Sequence, residues 1–264
     1  MSRSIVFITG ASSGIGQALA RQYAAQGATL GLVARRLEVL HDFVQTLPAG
    51  TAAHCYAADV RDAQSMRDAA TAFIAVAGVP DVVIANAGIS EGTDLREPGD
   101  LAAFARVMDT NWMGVLNTFQ PFVGPMLARA KPGQPGGTLV GIASVAGVRG
   151  LPGAAAYSAS KSAVIKLMES LRVEFGPLGL RVVTIAPGYI RTPMTEHNPY
   201  PMPFLMPVDR FALKAVNAIH RGVRFTVLPW PMGMVAKLLH VLPRWLYDVA
   251  FARAPRKPRK PEIS

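Results

Sequence analysis

Tyr157 and Lys161 are the two residues whose types and spacing best suit proton transfer. They lie in "AAAYSASKSAV" (residues 154–164), a run in which nearly every neighbour is Ala or Ser. Four residues make about one helical turn, so both side chains project from the same face of a helix. An unperturbed tyrosine titrates near pH 10, and an ammonium group one turn away favours the phenolate and lowers that pKa. The alternative is a surface tyrosine beside a solvated lysine, and the pair alone does not decide between them.

A glycine-rich turn near the N-terminus predicts a dinucleotide site. The sequence "TGASSGIG" (residues 9–16) follows an apolar run of strand length and opens a helical pattern, which is the context that this motif requires. Glycines permit a tight turn and close backbone approach to a pyrophosphate, and the helix N-terminus supplies oriented N–H groups. A merely structural turn is the alternative. We expect the dinucleotide to contact Gly10, Ser12, Ser13, Gly14, Ile15 and Gly16.

The end of the second predicted strand indicates which dinucleotide is bound. An NAD site carries a carboxylate there for the ribose 2′-hydroxyl. About 18 residues after Gly16 this sequence instead has Ala34, followed by Arg35 and Arg36. A carboxylate would repel a 2′-phosphate, whereas guanidinium groups bind one through charge-assisted hydrogen bonds. We therefore predict NADP(H) rather than NAD(H); the alternative is two solvated arginines at the start of a helix.

The elements that must position these residues follow from the pattern of apolar runs. Continuous apolar runs of strand length, such as "SIVFITG", "TLGLVA", "DVVIANAG", "GTLVGIAS" and "RVVTIAPG", alternate with helical patterns almost from end to end. Strands of this kind belong to a parallel sheet covered by helices on both faces. We predict a doubly wound α/β domain over residues 1–228, with a lid at 189–207, and a C-terminal apolar helical extension with a basic tail over 229–264.

Six motifs in order resemble those of the short-chain dehydrogenases/reductases. They are the glycine turn, "NAG" (86–88), "DTNWMG" (109–114), "GIASVAG" (141–147), "YSASK" (157–161) and "PGYIRT" (187–192). The resemblance covers about residues 4–228, and the glycine spacing is the short-chain version. It implies a single-domain, Rossmann-like sheet of about seven strands in the order 3-2-1-4-5-6-7. It also implies NADPH-dependent hydride transfer between a carbonyl and an alcohol.

The resemblance assigns roles to four residues. Tyr157 looks like the general acid, or the base in the oxidative direction, and Ser144 would hydrogen-bond the substrate oxygen. Lys161 would also bind the nicotinamide ribose, and Asn111 would hold a water that relays protons to Lys161. The ordinary alternatives are a strand-end cap for Ser144 and a helix-kink residue for Asn111. Further cofactor contacts carried over by the resemblance are Asp59, Val60, Asn86, Ala87, Gly88, Pro187, Gly188, Ile190 and Thr192, together with Tyr157 and Lys161.

The loop "GYIRTPMTEHNPYPMPFLMP" (188–207) is long and rich in Met and aromatic residues. Such a lid suits an adaptable apolar pocket, so we predict a lipophilic ketone or aldehyde as the substrate. The alternative is that these residues only seal the core beneath the loop. The predicted substrate contacts are Ser144, Tyr157, Tyr189, Met194 and Phe204. Arg149 is a further candidate that could face substrate or solvent.

Composition limits the remaining possibilities. The chain has 264 residues, a net charge of +10 and one cysteine, Cys55, so it forms no internal disulfide. No zinc-ligand spacing and no nucleic-acid motif is present, so we expect neither a metal nor a nucleic-acid partner. The single cysteine and the lack of a secretory pattern predict a cytoplasmic location. A catalytically silent NADP-binding protein is the alternative function.

The C-terminal stretch "MGMVAKLLHVLPRWLYDVAFARAPRKPRK" combines helical apolar spacing with Trp245 and a basic end. We favour an oligomer contact or an extra lid for it. A helix at a membrane interface is the alternative, which would make the protein peripherally membrane-associated. The family resemblance further implies a homodimer or homotetramer formed through helices at about 100–129 and 154–175.

Overall fold

The computed structural model describes residues 4–196, 198 and 200–259. Its strands are β1 (Ile5–Thr9), β2 (Thr29–Ala34), β3 (Ala53–Ala57), β4 (Val82–Ala85), β5 (Gly137–Ile142), β6 (Leu180–Pro187), β7 (Ile190–Arg191), β8 (Met206–Pro207) and β9 (Phe225–Leu228). Seven of them form one parallel sheet in the order β3-β2-β1-β4-β5-β6-β9. The predicted fold class and strand order are confirmed. The two-residue strands β7 and β8 pair with each other inside the predicted lid.

Helices cover both faces of this sheet. They are α1 (Gly14–Ala25), α2 (Leu37–Gln45), α3 (Ala63–Ala77), α4 (Asp100–Met108), α5 (Gly114–Arg129), α6 (Ala155–Phe175), α7 (Pro193–Glu196), α8 (Val208–His220), α9 (Trp230–Val241) and α10 (Arg244–Phe251). Helices α1, α2 and α8 pack on one face, and α3, α5 and α6 pack on the other. This arrangement explains why the central strands read as continuous apolar runs, since both of their faces are buried.

Strand β1 shows how alternate side chains serve the two cores. Val6 and Ile8 belong to the core beneath α1, α2 and α8, whereas Phe7 points to the opposite face. The Phe7 ring lies 5.4 Å from the ring of Phe73 on α3 and 4.7 Å from that of Phe122 on α5. These three buried rings join the central strand to both helices, and their burial fixes the position of the turn that follows β1.

The helical region predicted at about 100–129 is interrupted. Helices α4 and α5 are separated by one π-helical turn, Asp109–Met113, which contains Asn111. A π turn inserts an extra residue into the helix and changes which side chains share a face. Asn111 is completely buried at this point, so the turn directs a polar side chain into the protein.

The strand order places a crevice at the carboxyl edge of the sheet. The chain runs outward from β1 to β2 and β3, and then returns to the other side of β1 with β4. The connecting helices therefore diverge at β1 and β4, which is where open α/β sheets bind ligands. Gly10 follows β1 directly, Asn86 follows β4, and Ser144 lies two residues beyond β5. The topology brings the sequence motifs to this edge.

The C-terminal extension folds back onto the domain. Helix α9 begins two residues after β9 and packs against it, and α10 follows after Pro243. The proposed domain boundary at 228/229 thus falls between β9 and α9, and it stays a prediction. None of the helices in the described part of the chain is both long enough and apolar enough to cross a bilayer.

Candidate active site

A cleft of about 500 Å³ opens at the carboxyl edge of the sheet. It lies among the ends of β1, β2, β4, β5 and β6 and the start of α6. Most of the residues predicted from the sequence line it: Gly10, Ser12, Ser13, Gly14, Ile15, Arg35, Arg36, Asp59, Val60, Asn86, Ala87, Gly88, Ser144, Tyr157, Lys161, Pro187, Gly188, Ile190, Thr192 and Met194. Gly16, Asn111, Tyr189 and Phe204 are absent from this lining, as far as the described residues show.

The glycine turn presents bare backbone to the cleft because there is no space for side chains. Gly10 has φ +66°, and a Cβ built on it would lie 2.7 Å from the Cα of Ala87. A Cβ on Gly16 would overlap the carbonyl oxygen of Gly10. Asn86 fixes the turn from β4, since its Nδ2 donates to the carbonyls of Thr9 at 3.0 Å and Gly10 at 3.2 Å. This cradle at the N-terminus of α1 fits a pyrophosphate.

The far side of the turn carries an excess of positive charge. Arg35 and Arg36 are exposed where β2 ends, and neither makes a salt bridge within the described ranges. The nearby carboxylate of Asp59 is bound by Arg61, whose Nη2 lies 2.6 Å from Oδ2. The hydrogen bond from Arg61 lowers the pKa of Asp59, so this carboxyl is ionised and neutralised by its own partner. Two guanidinium groups therefore remain for an anionic ligand.

Tyr157 and Lys161 project from α6 into the cleft, as their spacing predicts. The Lys161 Nζ donates to the carbonyl oxygen of Ile142 at 2.8 Å and lies 6.0 Å from the centre of the Tyr157 ring. Burial lowers the pKa of Lys161 to about 8. Burial raises the pKa of Tyr157, and the Ser144 hydroxyl acts in the opposite direction. Desolvation of the phenolate is the larger of these two effects. The expected lowering of the Tyr157 pKa depends also on the positive nicotinamide of the oxidised cofactor, and it stays a prediction.

Ser144 is held beside Tyr157 by a tight turn after β5. It is the N-cap of a short 3₁₀ helix, Val145–Gly147, and its Oγ accepts a hydrogen bond from the backbone N–H of Ala146 at 3.1 Å. A Cβ on Gly147 would lie 2.6 Å from the carbonyl carbon of Lys161, so this turn packs directly on α6. Ser144 therefore acts as a cap and also lines the cleft, and its hydrogen bond to a substrate oxygen stays a prediction.

Asn111 lies behind the cleft and holds the chain that follows β4. Its Nδ2 donates to the carbonyl of Ile89 at 2.9 Å and to the Ser160 Oγ at 3.0 Å, and its Oδ1 accepts from the N–H of Ile89 at 2.8 Å. A Cβ on Gly88 would be 3.2 Å from the Asn111 Oδ1 and 3.4 Å from the Lys161 Nζ. The side chain is thus committed to protein partners, and the water relay predicted for Asn111 stays a prediction.

The lid brings two tyrosines toward Tyr157. The rings of Tyr189 and Tyr200 are 6.4 Å apart, and burial raises the pKa of both phenols. The charge of Tyr157 also contributes to the raised pKa of Tyr200. Phe204 is 53% exposed and has φ +58°. Among the substrate contacts predicted in the lid, Met194 belongs to the lining of the cleft.

Sequence reasoning missed several cleft residues. They are Ile89, Glu91, Arg106, Thr110 and Arg61, together with Tyr200 at the lid. Glu91 is buried and forms a salt bridge of 3.0 Å with Arg106. These two residues lie 15 positions apart outside the six motifs, so no local pattern relates them. No group of acidic, histidine or cysteine side chains suited to a metal lies in the part of the chain that the structure covers.

The fold and the cleft define a dinucleotide-binding α/β protein, and comparison with known proteins identifies its family. Residues 4–201 match the family model described as short chain dehydrogenase. An uncharacterized oxidoreductase of Myxococcus xanthus is 36% identical over 257 residues, which cover 96% of this chain and 98% of that protein. The chain belongs to the short-chain dehydrogenase family of oxidoreductases.

Two solved structures are similar in fold. The 3-ketoacyl-(acyl-carrier-protein) reductase of Brucella melitensis complexed with NADH has a TM-score of 0.76 and 25% identity, covering 85% of this chain and 96% of its own. A short chain dehydrogenase of Burkholderia cenocepacia in complex with NADP has a TM-score of 0.80 and 23% identity, covering 96% of this chain and 99% of its own. Both structures therefore share the fold of this chain over most of its length.

Proposed function

We propose that this chain is an NADPH-dependent oxidoreductase that interconverts a lipophilic carbonyl compound and its alcohol, with Tyr157 as general acid and base. The observation that carries the proposal is the convergence of Ser144, Tyr157 and Lys161 in the same cleft as the glycine cradle and the two free arginines. A protein that only binds the dinucleotide has no use for a half-buried phenol beside a buried hydroxyl and a buried ammonium group at that place.

The side chains suit the reduction of a carbonyl group. When bound, reduced nicotinamide supplies a hydride to the carbonyl carbon. Ser144 donates a hydrogen bond to the carbonyl oxygen and stabilises the negative charge that develops there. Tyr157 then gives its proton to that oxygen; burial raises its pKa and keeps the phenol protonated, and the Ser144 hydrogen bond acts in the direction that eases release of the proton.

Lys161 supports Tyr157 after the proton has left. With a pKa of about 8 its ammonium group is mostly charged at pH 7, and the Ile142 carbonyl holds it near the Tyr157 ring. A cation at this distance stabilises the phenolate, which must persist until a new proton arrives. The family resemblance adds that Lys161 binds the nicotinamide ribose, and that a water held by Asn111 supplies the proton.

The preference for NADPH rests on charge at the end of β2. Arg35 and Arg36 are exposed and lack salt bridges within the described ranges, and Asp59 is already paired with Arg61. A 2′-phosphate placed there would meet two guanidinium groups and no free carboxylate, which favours it over a 2′-hydroxyl. The lipophilic substrate is supported by Met194 in the cleft and by the half-buried rings of Tyr189 and Tyr200 at the lid.

Steady-state kinetics with NADPH and NADH on a panel of aryl and cyclic ketones, aldehydes, sugars and polyols tests the proposal. We expect the double variant Arg35→Asp/Arg36→Asp to lose at least about 100-fold in kcat/KM for NADPH, since each charged hydrogen bond contributes about 1.5–3 kcal/mol. The value for NADH should change little. Arg67→Asp is the matched control, because Arg67 is an exposed arginine on α3 outside the cleft lining.

The proton donor and the substrate class are tested in the same assay. Tyr157→Phe should lower kcat by about 10²–10⁴-fold while NADPH still binds. An unchanged cofactor preference in the double arginine variant, or full activity of Tyr157→Phe, contradicts the proposal. Turnover of sugars or polyols alone would exclude the lipophilic substrate. Binding of NADPH without turnover of any carbonyl compound would favour the catalytically silent alternative.

We also propose that the chain forms a homo-oligomer through α5 and α6. The outward side of α6 carries Ala155, Ala159 and Ser162, whose small side chains permit close approach of another helix. The experiment that tests this contact concerns the whole molecule and is given in the Discussion.

A further inference from the structure

A row of large apolar side chains faces outward from the C-terminal helices. Six residues on α9 and α10 are each between 62% and 74% exposed. Four of them recur every three or four residues on one face of α9, and the other two are one turn apart on α10. We call this row the outer stripe; it consists of Trp230, Met234, Leu238, Val241, Trp245 and Val249. Soluble proteins rarely expose a contiguous patch of this kind without a partner.

The inner side of the same helices is fixed to the domain, so the outer stripe has a defined orientation. Met232, Ala236 and Tyr247 are buried, and a Cβ on Gly188 would lie 2.8 Å from the Met232 Cγ. The Tyr247 hydroxyl donates to the Gly150 carbonyl. The guanidinium group of Arg149 stacks 4.5 Å from the centre of the Tyr247 ring, and its Nη2 donates to the Leu242 carbonyl at 3.2 Å. Arg149 therefore anchors α10, rather than facing the substrate or solvent.

Two arginines in the described part of the basic tail are bound away from the outer stripe. Arg256 lies 3.4 Å from Asp94, and Arg259 lies 3.0 Å from Asp100 and 3.5 Å from Glu97. These arginines are bound to acidic groups of the chain's own loop between β4 and α4. Any attraction that the stripe has for an anionic partner must come from other residues.

Further basic residues lie on the C-terminal helices or close to them along the chain. Five exposed basic residues make no salt bridge within the described ranges: Arg221, Arg224, Lys237, Arg244 and Arg253. Helical geometry of about 100° per residue places Lys237 on the same face as Met234 and Val241. Asp248 is the one acidic residue between positions 221 and 259. The C-terminal helices therefore combine an exposed apolar row with an excess of basic residues.

We infer that the outer stripe docks onto the surface of an anionic phospholipid bilayer, with α9 and α10 lying in the interface. Tryptophan side chains prefer the headgroup level, and a lysine stem can lie along apolar surface while its ammonium reaches the phosphates. Apolar area combined with basic residues is the composition of helices that lie on anionic membranes. An anionic bilayer complements the charge of this surface better than a second copy of the chain does. Symmetric pairing of two outer stripes would bring the same basic residues of both copies together.

Co-sedimentation of the full-length protein with phospholipid vesicles tests the inference. We expect binding to vesicles of phosphatidylcholine with 30% phosphatidylglycerol, and at least about tenfold weaker binding to phosphatidylcholine alone. The variant Leu238→Glu/Trp245→Glu should lose at least tenfold in partitioning onto the anionic vesicles. Val76→Glu is the matched control, because Val76 on α3 is 62% exposed, like Leu238, and lies far along the chain from the stripe.

A second variant keeps the experiment decisive if the double variant folds poorly. Lys237→Glu reverses one charge at an exposed position and should weaken binding to anionic vesicles while binding to neutral vesicles changes little. Failure of the wild-type protein to bind anionic vesicles overturns the inference, as does an equal loss in Val76→Glu. Self-association that Leu238→Glu/Trp245→Glu abolishes, in the absence of vesicle binding, would assign the stripe to a second copy instead. None of these measurements requires substrate, so the inference stands or falls separately from the proposed activity.

Discussion

Lys161 is the residue whose local chemistry departs most from its usual behaviour in water. It is 4% exposed, its Nζ is bound to one backbone carbonyl, and burial lowers its pKa to about 8 from an ordinary value of 10.5. No carboxylate of the described residues forms a salt bridge with it. A buried cation without a counter-ion is unfavourable for folding. The function proposed for Lys161 beside Tyr157 would explain why it is kept there.

The stability of the protein should therefore rise with pH between 7 and 9. Above pH 8 the native Lys161 loses its proton while the unfolded chain keeps it, so the unfolded state binds more protons and unfolding becomes less favourable. Lys161→Met removes this contribution. We expect the free energy of unfolding of the wild-type protein to gain about 1 kcal/mol relative to Lys161→Met between pH 7 and 9, measured by urea denaturation.

Lys166→Met is the control for this measurement. Lys166 lies on the same helix, its side chain is 77% exposed, and its partner is the exposed Glu169 at 2.8 Å. The difference between that variant and the wild-type protein should be independent of pH over the same range. A constant difference for Lys161→Met as well would show that Lys161 titrates normally in the folded protein.

The residues of the site divide into those that the sequence predicts and those that it does not. Tyr157 and Lys161 are predictable from their spacing on one helical face, Ser144 is predicted by the family resemblance, and the cleft contains all three. Tyr200 and the salt bridge of Glu91 with Arg106 are not, since they come together only after separate loops have folded over the sheet. The spacing of residues along the chain predicts which side chains share one helix face or one turn. It does not predict contacts between side chains from separate loops.

At the scale of elements, the C-terminal tail acts as a strap across the loop between β4 and α4. The Lys257 Nζ donates to the Ser90 Oγ at 2.7 Å, and a Cβ on Gly92 would overlap the carbonyl of Lys257. Arg256 and Arg259 add the ion pairs with Asp94 and Asp100. The sequence shows that the tail is basic. The acidic residues that determine where the tail binds lie about 160 positions earlier in the chain.

Removing these ion pairs should release the loop. In Arg256→Ala/Arg259→Ala we expect faster amide hydrogen exchange at Gly92, Thr93 and Asp94 than in the wild-type protein. Exposed ion pairs are screened by salt, so 0.5 M NaCl should have a similar effect on the wild-type protein. The ion pairs lower the pKa of Asp100, and protonation of the acids as the pH falls below about 4 should also loosen the strap.

Arg253→Ala provides the comparison for the strap. Arg253 is equally basic and exposed, and it makes no salt bridge to any residue that the structure describes. Its exchange pattern should match that of the wild-type protein. If the double variant also matches, the backbone packing at Gly92 holds the tail without help from charge.

At the scale of the whole molecule, the fold was predictable because buried parallel strands have a distinctive composition. Both faces of β1, β2, β4, β5 and β6 are covered by helices, and their sequences are accordingly apolar without alternation. The π turn at Asn111 and the outward direction of the stripe on α9 were not predictable. A helical pattern does not reveal one inserted residue, and it does not show which apolar face remains uncovered.

The outer stripe and the small-residue side of α6 offer two different surfaces for self-association, and a single experiment distinguishes them. A homo-oligomer formed through α5 and α6 should have a mass that is a multiple of 28.1 kDa by light scattering. Ala159→Arg places a large cation on the exposed small-residue face, so it should reduce the mass to 28.1 kDa.

Val241→Arg makes the corresponding change in the stripe and should leave the oligomer intact, because that face is assigned to lipid. Val76→Arg on α3 controls for the added charge. A wild-type mass of 28.1 kDa would contradict the proposed oligomer. Dissociation by Val241→Arg alone would move the subunit contact to the C-terminal helices, and it would remove the bilayer as the partner of the stripe, since one apolar face cannot be buried in both.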